Sequence, residues 1–365
     1  MYSERFSFDE IVAKRQRIPS SRPSNTIDQL LLSLYDVFTD LTDEQLEALA
    51  QRAAYITRQR FGNVMRFFVP LYLSNECYNN CTYCGFSYDR NIDRYTLNDT
   101  EVVDNVHSLV NRGFQHILLL TGEAQKTVEM PYFERILPLI RPYVSQLGME
   151  VQPLEEADYS RLIACGLDAV TVYQETYHKD HYLMHHLSGK KRRFEYRLDT
   201  VDRAARAGVY RINIGALLGL SDWRFEAIAL VDHLRYLYQT YWQTQFSISF
   251  PRITSIFDAT RPLQPVTDRQ LVQLVCAFRC LFPDLGITLS TRESAQLRDG
   301  LMGLGITDMS AESMTSPGAY TGIDAEPQFS TTDHRSLTDI QSVLSRQGMD
   351  SVVKDWDRIY TCSGS

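Results

Sequence analysis

The chain has 365 residues, 44% of them apolar, and a formal net charge of −8 at pH 7. That balance leaves no basic footprint for nucleic acid, and no run reaches the ~20 consecutive apolar residues of a membrane span. Seven cysteines, an odd number with three close together, do not read as a disulfide framework, and the polar start Met1-Tyr-Ser-Glu has no signal-peptide core. The expected setting is a reducing cytoplasm.

Residues 1–63 read as a polar, helical extension. Asp28 to Tyr35 and Thr42 to Ala53 both carry apolar residues at helical spacing, and Thr42 with Gln45 forms a capping-box pattern. From residue 64 the pattern alternates strand and helix, the mark of a parallel sheet. Expected strands are 64–73, 116–123, 149–154, 169–175, 211–218, 246–252, 286–293 and, weakest, 307–313. Helices are expected at 98–112, 194–207, 223–244 and 267–282. In the third of these the aromatics Tyr236, Tyr238, Tyr241 and Trp242 should pack on the sheet. Eight such units predict a (βα)8 TIM-type barrel over 64–314, followed by a tail, 315–365, that packs on the barrel. The tail should be irregular to about residue 336, then form a short helix.

Directly after the first strand comes Cys77-Tyr-Asn-Asn-Cys81-Thr-Tyr-Cys84. Thiolates at C-x3-C-x2-C spacing can meet at one point, and soft sulfur ligands select zinc, copper(I) or an iron–sulfur cluster. A closed zinc site would want a fourth Cys or His nearby, and the next histidine is His107. Three cysteines on a [4Fe–4S] cluster would leave one iron open to a small ligand. In a barrel the active site lies at the C-terminal ends of the strands, where Glu123, Gln152, Glu175, Arg252, Arg292 and Ser310 gather. The other cysteines read as bland. Cys276 and Cys280 form an i,i+4 helix pair, Cys165 is expected to be buried, and Cys362 stands alone.

The cysteine spacing, with Tyr83 before the third cysteine, resembles the radical S-adenosylmethionine (radical SAM) signature. Over nearly the whole chain the sequence resembles the tyrosine lyases, or 2-iminoacetate synthases, of thiamine biosynthesis. The likeness is carried by Gln59-Arg-Phe-Gly-Asn63, Phe68 to Asn75, Met149-Glu-Val-Gln-Pro-Leu154 and Val172 to His178. Gly215 to Asp222, Ser290-Thr-Arg-Glu-Ser294 and Lys354-Asp-Trp-Asp357 extend it. The resemblance implies a [4Fe–4S] cluster on Cys77, Cys81 and Cys84, and S-adenosylmethionine (SAM) as cofactor. It places Gly122 and Glu123 at the SAM ammonium, Glu175 at the ribose, Arg197 at the methionyl carboxylate and Tyr83 beside the cofactor. Thr121 stands where such proteins often carry a further glycine.

On the substrate side the resemblance puts Arg292 and Ser310 at the carboxylate of L-tyrosine. The implied reaction cleaves its Cα–Cβ bond to 2-iminoacetate and p-cresol. Gln152, Tyr72 and Tyr173 are candidates for the phenol, unranked. A flavodoxin- or ferredoxin-type reductant and a complex with thiazole synthase are also implied. Three rival readings are a hydrogenase-maturase-type tyrosine lyase, a tryptophan lyase of the same group, and a non-catalytic iron–sulfur or zinc protein. The first of these carries a second cluster on clustered C-terminal cysteines, where this chain offers Cys362.

Overall fold

Eight largely buried segments pair in parallel and close into a ring in the computed structural model. The structure describes residues 1–253 and 263–354, so Trp356, Asp357 and Cys362 lie outside the described residues. The strands are β1 (Val64–Ser74), β2 (His116–Thr121), β3 (Gln146–Glu150), β4 (Ala169–Glu175), β5 (Arg211–Ala216), β6 (Gln245–Ser249), β7 (Gly286–Leu289) and β8 (Asp308–Ser310). Each pairs with the next, and β8 returns to β1 with Phe67 opposite Met309 and Phe68 opposite Ser310. Intervening helices include Asp99–Asn111, Met130–Ile140, Glu156–Ala164, Trp223–Thr240 and Asp268–Leu281. They lay Val106, Ile136, Leu162, Leu230 and Leu274, all fully buried, on the barrel's outer face. This is the TIM-type (βα)8 barrel.

Residues before β1, and residues 315–354 after β8, are tied to that barrel. In the N-terminal part Asp43–Phe61 starts at Thr42, whose backbone N–H donates to Gln45 Oε1 at 2.9 Å, the expected capping box. The helix packs on Asp268–Leu281, where Gln273 Nε2 donates to the Val37 and Thr39 carbonyls at 2.7 and 2.8 Å. Beyond β8, residues 315–336 are largely irregular, as the sequence led one to expect. They run across the barrel mouth, and the fully buried Arg298 pairs with Asp333 beneath them. A helix, Leu337–Arg346, then leads to β9 (Asp350–Val352), which pairs in parallel with the start of β1.

Several expectations need correction. The third strand ends at Glu150, four residues before the expected end, because Pro153 and the turn into Glu156–Ala164 take over. The helix expected over 194–207 is two, Phe194–Leu198 and Thr200–Arg206, broken where the Asp199 carboxylate turns to accept Ser3 N–H (2.8 Å) and Ser3 Oγ–H (2.6 Å). Of the aromatic stripe, Trp242 is 81% exposed, since its helix has already ended at Thr240. Tyr236 and Tyr241 instead donate together to Asp202 Oδ1, each at 2.6 Å. Cys276 is buried in the core, while Cys165 and Cys280 are half-buried.

Candidate active site

The cysteine loop leaves β1 through a register shift between Tyr72 and Ser74, a bulge of the kind that re-aims backbone beside functional sites. Its path is then fixed by carbonyl-directed contacts. Arg94 donates to the Asn75, Phe86 and Ser87 carbonyls, each at 2.8 Å, and so clamps both ends of the loop. Tyr78 N–H donates to the Glu123 carbonyl at 3.1 Å, and Gly122 N–H to Ser74 O at 3.0 Å. A Cβ on Gly122 would stand 2.1 Å from the Glu76 carbonyl, so only glycine lets β2 pass this close. Farther on, Asn80–Cys81 pairs antiparallel with His186–Ser188, and the Tyr83 hydroxyl meets His186 Nε2 at 2.7 Å.

The result is three free thiols, Cys77, Cys81 and Cys84, on one wall of a deep cavity at the barrel's C-terminal mouth. Burial pushes the Cys77 thiol up to about 11, and raises Cys81 and Cys84 as well. They are therefore protonated at neutral pH, and taking up metal must displace those protons. No three Cys, His, Asp or Glu side chains among the described residues converge on a single metal ion, so three thiols spread along one cavity wall fit a polynuclear iron–sulfur cluster, each thiolate on its own iron and one iron left to a ligand.

Next to the thiols lies a ring of four buried charges. Arg197 Nη1 donates to Glu123 Oε1 at 2.8 Å and its Nε to the Tyr173 carbonyl at 2.7 Å. Lys191 Nζ donates to Glu175 Oε1 at 2.7 Å, and Arg197 stands 3.7 Å from the same oxygen. Burial pushes the Glu175 carboxyl up, but Lys191 and Arg197 outweigh it and hold it below the ordinary range. Glu175 has a φ of +69°, rare for a residue with a side chain, just after a second register shift, in β4. Such strain costs ~1–3 kcal/mol and turns the acid inward. Asn79 links the loop to this ring. Its Nδ2 donates to Glu123 Oε2 and its Oδ1 accepts from Lys191 N–H, both at 2.9 Å.

In the same cavity, the guanidinium of Arg292 makes no hydrogen bond or ion pair with another described residue; the Phe329 ring lies 3.3 Å from its guanidinium carbon. Burial pulls its pKa below the ordinary value. Ser310 Oγ accepts from Thr291 N–H at 3.2 Å, which leaves its proton free to be donated into the cavity.

All ten residues singled out from sequence (Cys77, Cys81, Tyr83, Cys84, Gly122, Glu123, Glu175, Arg197, Arg292 and Ser310) line this one cavity. Two of the other strand-end residues do not. Gln152 is buried outside it, with Nε2 on the Val128 carbonyl at 2.9 Å. Arg252 is bound to Glu293 and, at 2.7 Å, to Asp268. Sequence reasoning missed Lys191, Glu150, Gln328 and Phe329, which do line it. Lys191 hides in a basic run, Lys190 to Arg193, that reads as a solvated surface. Glu150 shares strand parity with Gln152 and could have been found had the strand end been set four residues earlier.

Two family models match the chain: the radical SAM superfamily over residues 71–230, and the biotin and thiamin synthesis associated domain over 249–350. The 2-iminoacetate synthase of Escherichia coli K12 is 49% identical over 314 residues, 86% of this chain and 83% of that protein. Its counterpart in Salmonella typhimurium is 48% identical over 316 residues, covering 86% and 84%. Among solved structures, the FeFe-hydrogenase maturase HydG from Carboxydothermus hydrogenoformans superposes with a TM-score of 0.83 at 33% identity, over 94% of this chain and 80% of that one. A barrel whose cysteine loop faces a ring of buried charges, together with near-half identity along most of its length, shows that this chain belongs to the 2-iminoacetate synthase family of radical SAM enzymes.

Proposed function

We propose that the protein cleaves the Cα–Cβ bond of L-tyrosine to 2-iminoacetate and p-cresol, using a [4Fe–4S] cluster and SAM. The observation that carries this is the presence, within one cavity, of a three-thiol wall and of a guanidinium that forms no close ion pair with a described carboxylate. When bound, the cluster and SAM supply a reducing electron and a 5′-deoxyadenosyl radical that takes hydrogen from the substrate. Cys77, Cys81 and Cys84 hold the cluster. Glu123 accepts from the methionyl ammonium, Arg197 meets the methionyl carboxylate, Glu175 binds the ribose hydroxyls, and Gly122 and Tyr83 shape the wall beside the cofactor. Arg292 and Ser310 hold the tyrosine carboxylate, which turns the amine toward the cofactor, and such positioning is most of what side chains add to a radical reaction. The tail residues Gln328 and Phe329 complete the cavity lining, Gln328 on the Tyr72 hydroxyl and Phe329 on the Arg292 guanidinium.

The test is anaerobic incubation of the iron-loaded protein with SAM, a reductant of flavodoxin or ferredoxin type, and L-tyrosine. Deoxyadenosine and p-cresol should form together. Equal turnover with L-tryptophan, giving its own fragments, would move the protein to the sister lyases. The identity of 49% to the 2-iminoacetate synthase, against 33% to the maturase, favours the simpler cleavage.

The imine product hydrolyses readily in water, so direct hand-over to the enzyme that consumes it is advantageous. A complex with thiazole synthase is the expected device. The two should co-purify and raise thiazole yield together; independent elution with unchanged yield would exclude it. No helix among the described residues is long and apolar enough to cross a membrane.

A further inference from the structure

Besides the Arg292 guanidinium, one other charged group in the cavity is held by no hydrogen bond or close ion pair among the described residues. It is the carboxylate of Glu150, the last residue of β3, which lines the cavity. An ionised carboxylate left alone in a buried site costs several kcal/mol, so it is kept for a ligand or holds a proton. Burial, with the Glu175 charge adding, outweighs the attraction of Lys191, Arg292 and Arg197 and pushes its carboxyl up to about 7.

Its position says which part of a ligand it meets. β3 and β7 stand four strands apart in an eight-stranded ring, so Glu150 and Arg292 project from opposite walls. They also differ in depth. Arg292 lies beyond the end of β7 at Leu289, on the rim, as Glu123 lies beyond the end of β2. Glu150 lies within its strand, level with Leu120 and, through it, Tyr72. Beneath is an apolar floor of Phe68, Pro70 and Leu118. An amino acid held by its carboxylate at Arg292, with its amine toward the thiol wall, therefore sends its side chain down and across, its ring over the floor. The tip of that ring arrives at β3. The cavity's three tyrosines are less available: Tyr72 already donates to Gln328 Oε1 at 2.7 Å, Tyr83 meets His186 Nε2 at 2.7 Å, and Tyr173 lies against Ser249.

We propose that Glu150 accepts the phenolic O–H of the substrate tyrosine and so sets the preference for a hydroxylated ring, an assignment that rests on the tyrosine-lyase reading above. A site built to bond a substrate hydroxyl rejects the analogue lacking it, because the acceptor is then buried unpaired. Glu150 is thus a specificity residue that touches substrate at the end remote from the cofactor.

The experiment compares wild type, Glu150→Gln and Glu150→Ala as iron-loaded, SAM-bound protein, titrated anaerobically with L-tyrosine and with L-phenylalanine. Glu150→Ala should weaken L-tyrosine about 10- to 150-fold, the range of a lost hydrogen bond to a charged group. L-phenylalanine should bind as before or more tightly. Glu150→Gln keeps an acceptor oxygen at nearly the same volume and should fall between, so the test stands even if the alanine variant loads iron poorly. Equal weakening of both amino acids would place Glu150 at the ammonium instead and overturn the proposal, as would unchanged tyrosine affinity. If the wild type neither binds L-tyrosine nor yields p-cresol, the tyrosine-lyase reading itself fails, and that result is distinct from a wild type that binds tyrosine indifferently to residue 150.

Discussion

Replacing Cys77, Cys81 or Cys84 by alanine should abolish SAM cleavage and lower the bound iron together, whereas Cys276→Ala and Cys280→Ala should leave both unchanged. The difference follows from placement. The first three thiols share one cavity wall, while Cys276 is sealed in the core on Asp268–Leu281 and Cys280 is half-buried on the same helix. Each cluster cysteine supplies a bond that no neighbour replaces, so activity should fall to background rather than by a partial factor. Iron and sulfide analysis of each variant, beside deoxyadenosine formation, makes the check. Close to four irons per chain is expected of the wild type for a single [4Fe–4S] cluster; about eight would point to a second cluster and revive the maturase reading.

The second large effect concerns Arg292. Arg292→Ala should weaken L-tyrosine about 10- to 150-fold, since a charged hydrogen bond is worth roughly 1.5–3 kcal/mol. Arg292→Lys should recover only part of this, because an ammonium keeps the charge without the planar fork. SAM affinity should hold in both. The melting temperature should not fall, for desolvation of this guanidinium outweighs the attraction of Glu150 and Glu175 and makes it a cost to the fold. Loss of SAM binding with tyrosine affinity intact would show the two halves of the cavity to be reversed. A lower melting temperature with tyrosine affinity unchanged would make Arg292 a packing residue for Phe329.

What was legible in the sequence was mainly what local pattern fixes. Alternating apolar runs and punctuating glycines reveal the eight barrel strands, and the capping box at Thr42 reveals the start of its helix. The cavity wall was legible because a barrel rule converts strand ends into neighbours, which brings Glu123, Glu175 and Arg292 together from positions far apart in the chain. The misses arose where long-range contacts override local pattern. The expected single helix divides at Asp199, whose carboxylate takes two hydrogen bonds from Ser3, far away in the chain. Gln152 looked like a strand-end ligand only because a proline-bearing loop was read as strand. Phe329 and Gln328 sit in a stretch with no periodicity, and nothing local says that it crosses the barrel mouth. Lys191 reads as surface until Glu175 is seen beside it.

The most direct measurement of the central claim is to follow both fragments of L-tyrosine labelled with 13C at Cα and Cβ, under anaerobic reducing conditions with SAM. The account predicts the Cβ label in p-cresol and the Cα label in glyoxylate, the hydrolysis product of 2-iminoacetate, in equal amounts and in step with deoxyadenosine. Deoxyadenosine formed while the labelled tyrosine stays whole would contradict it.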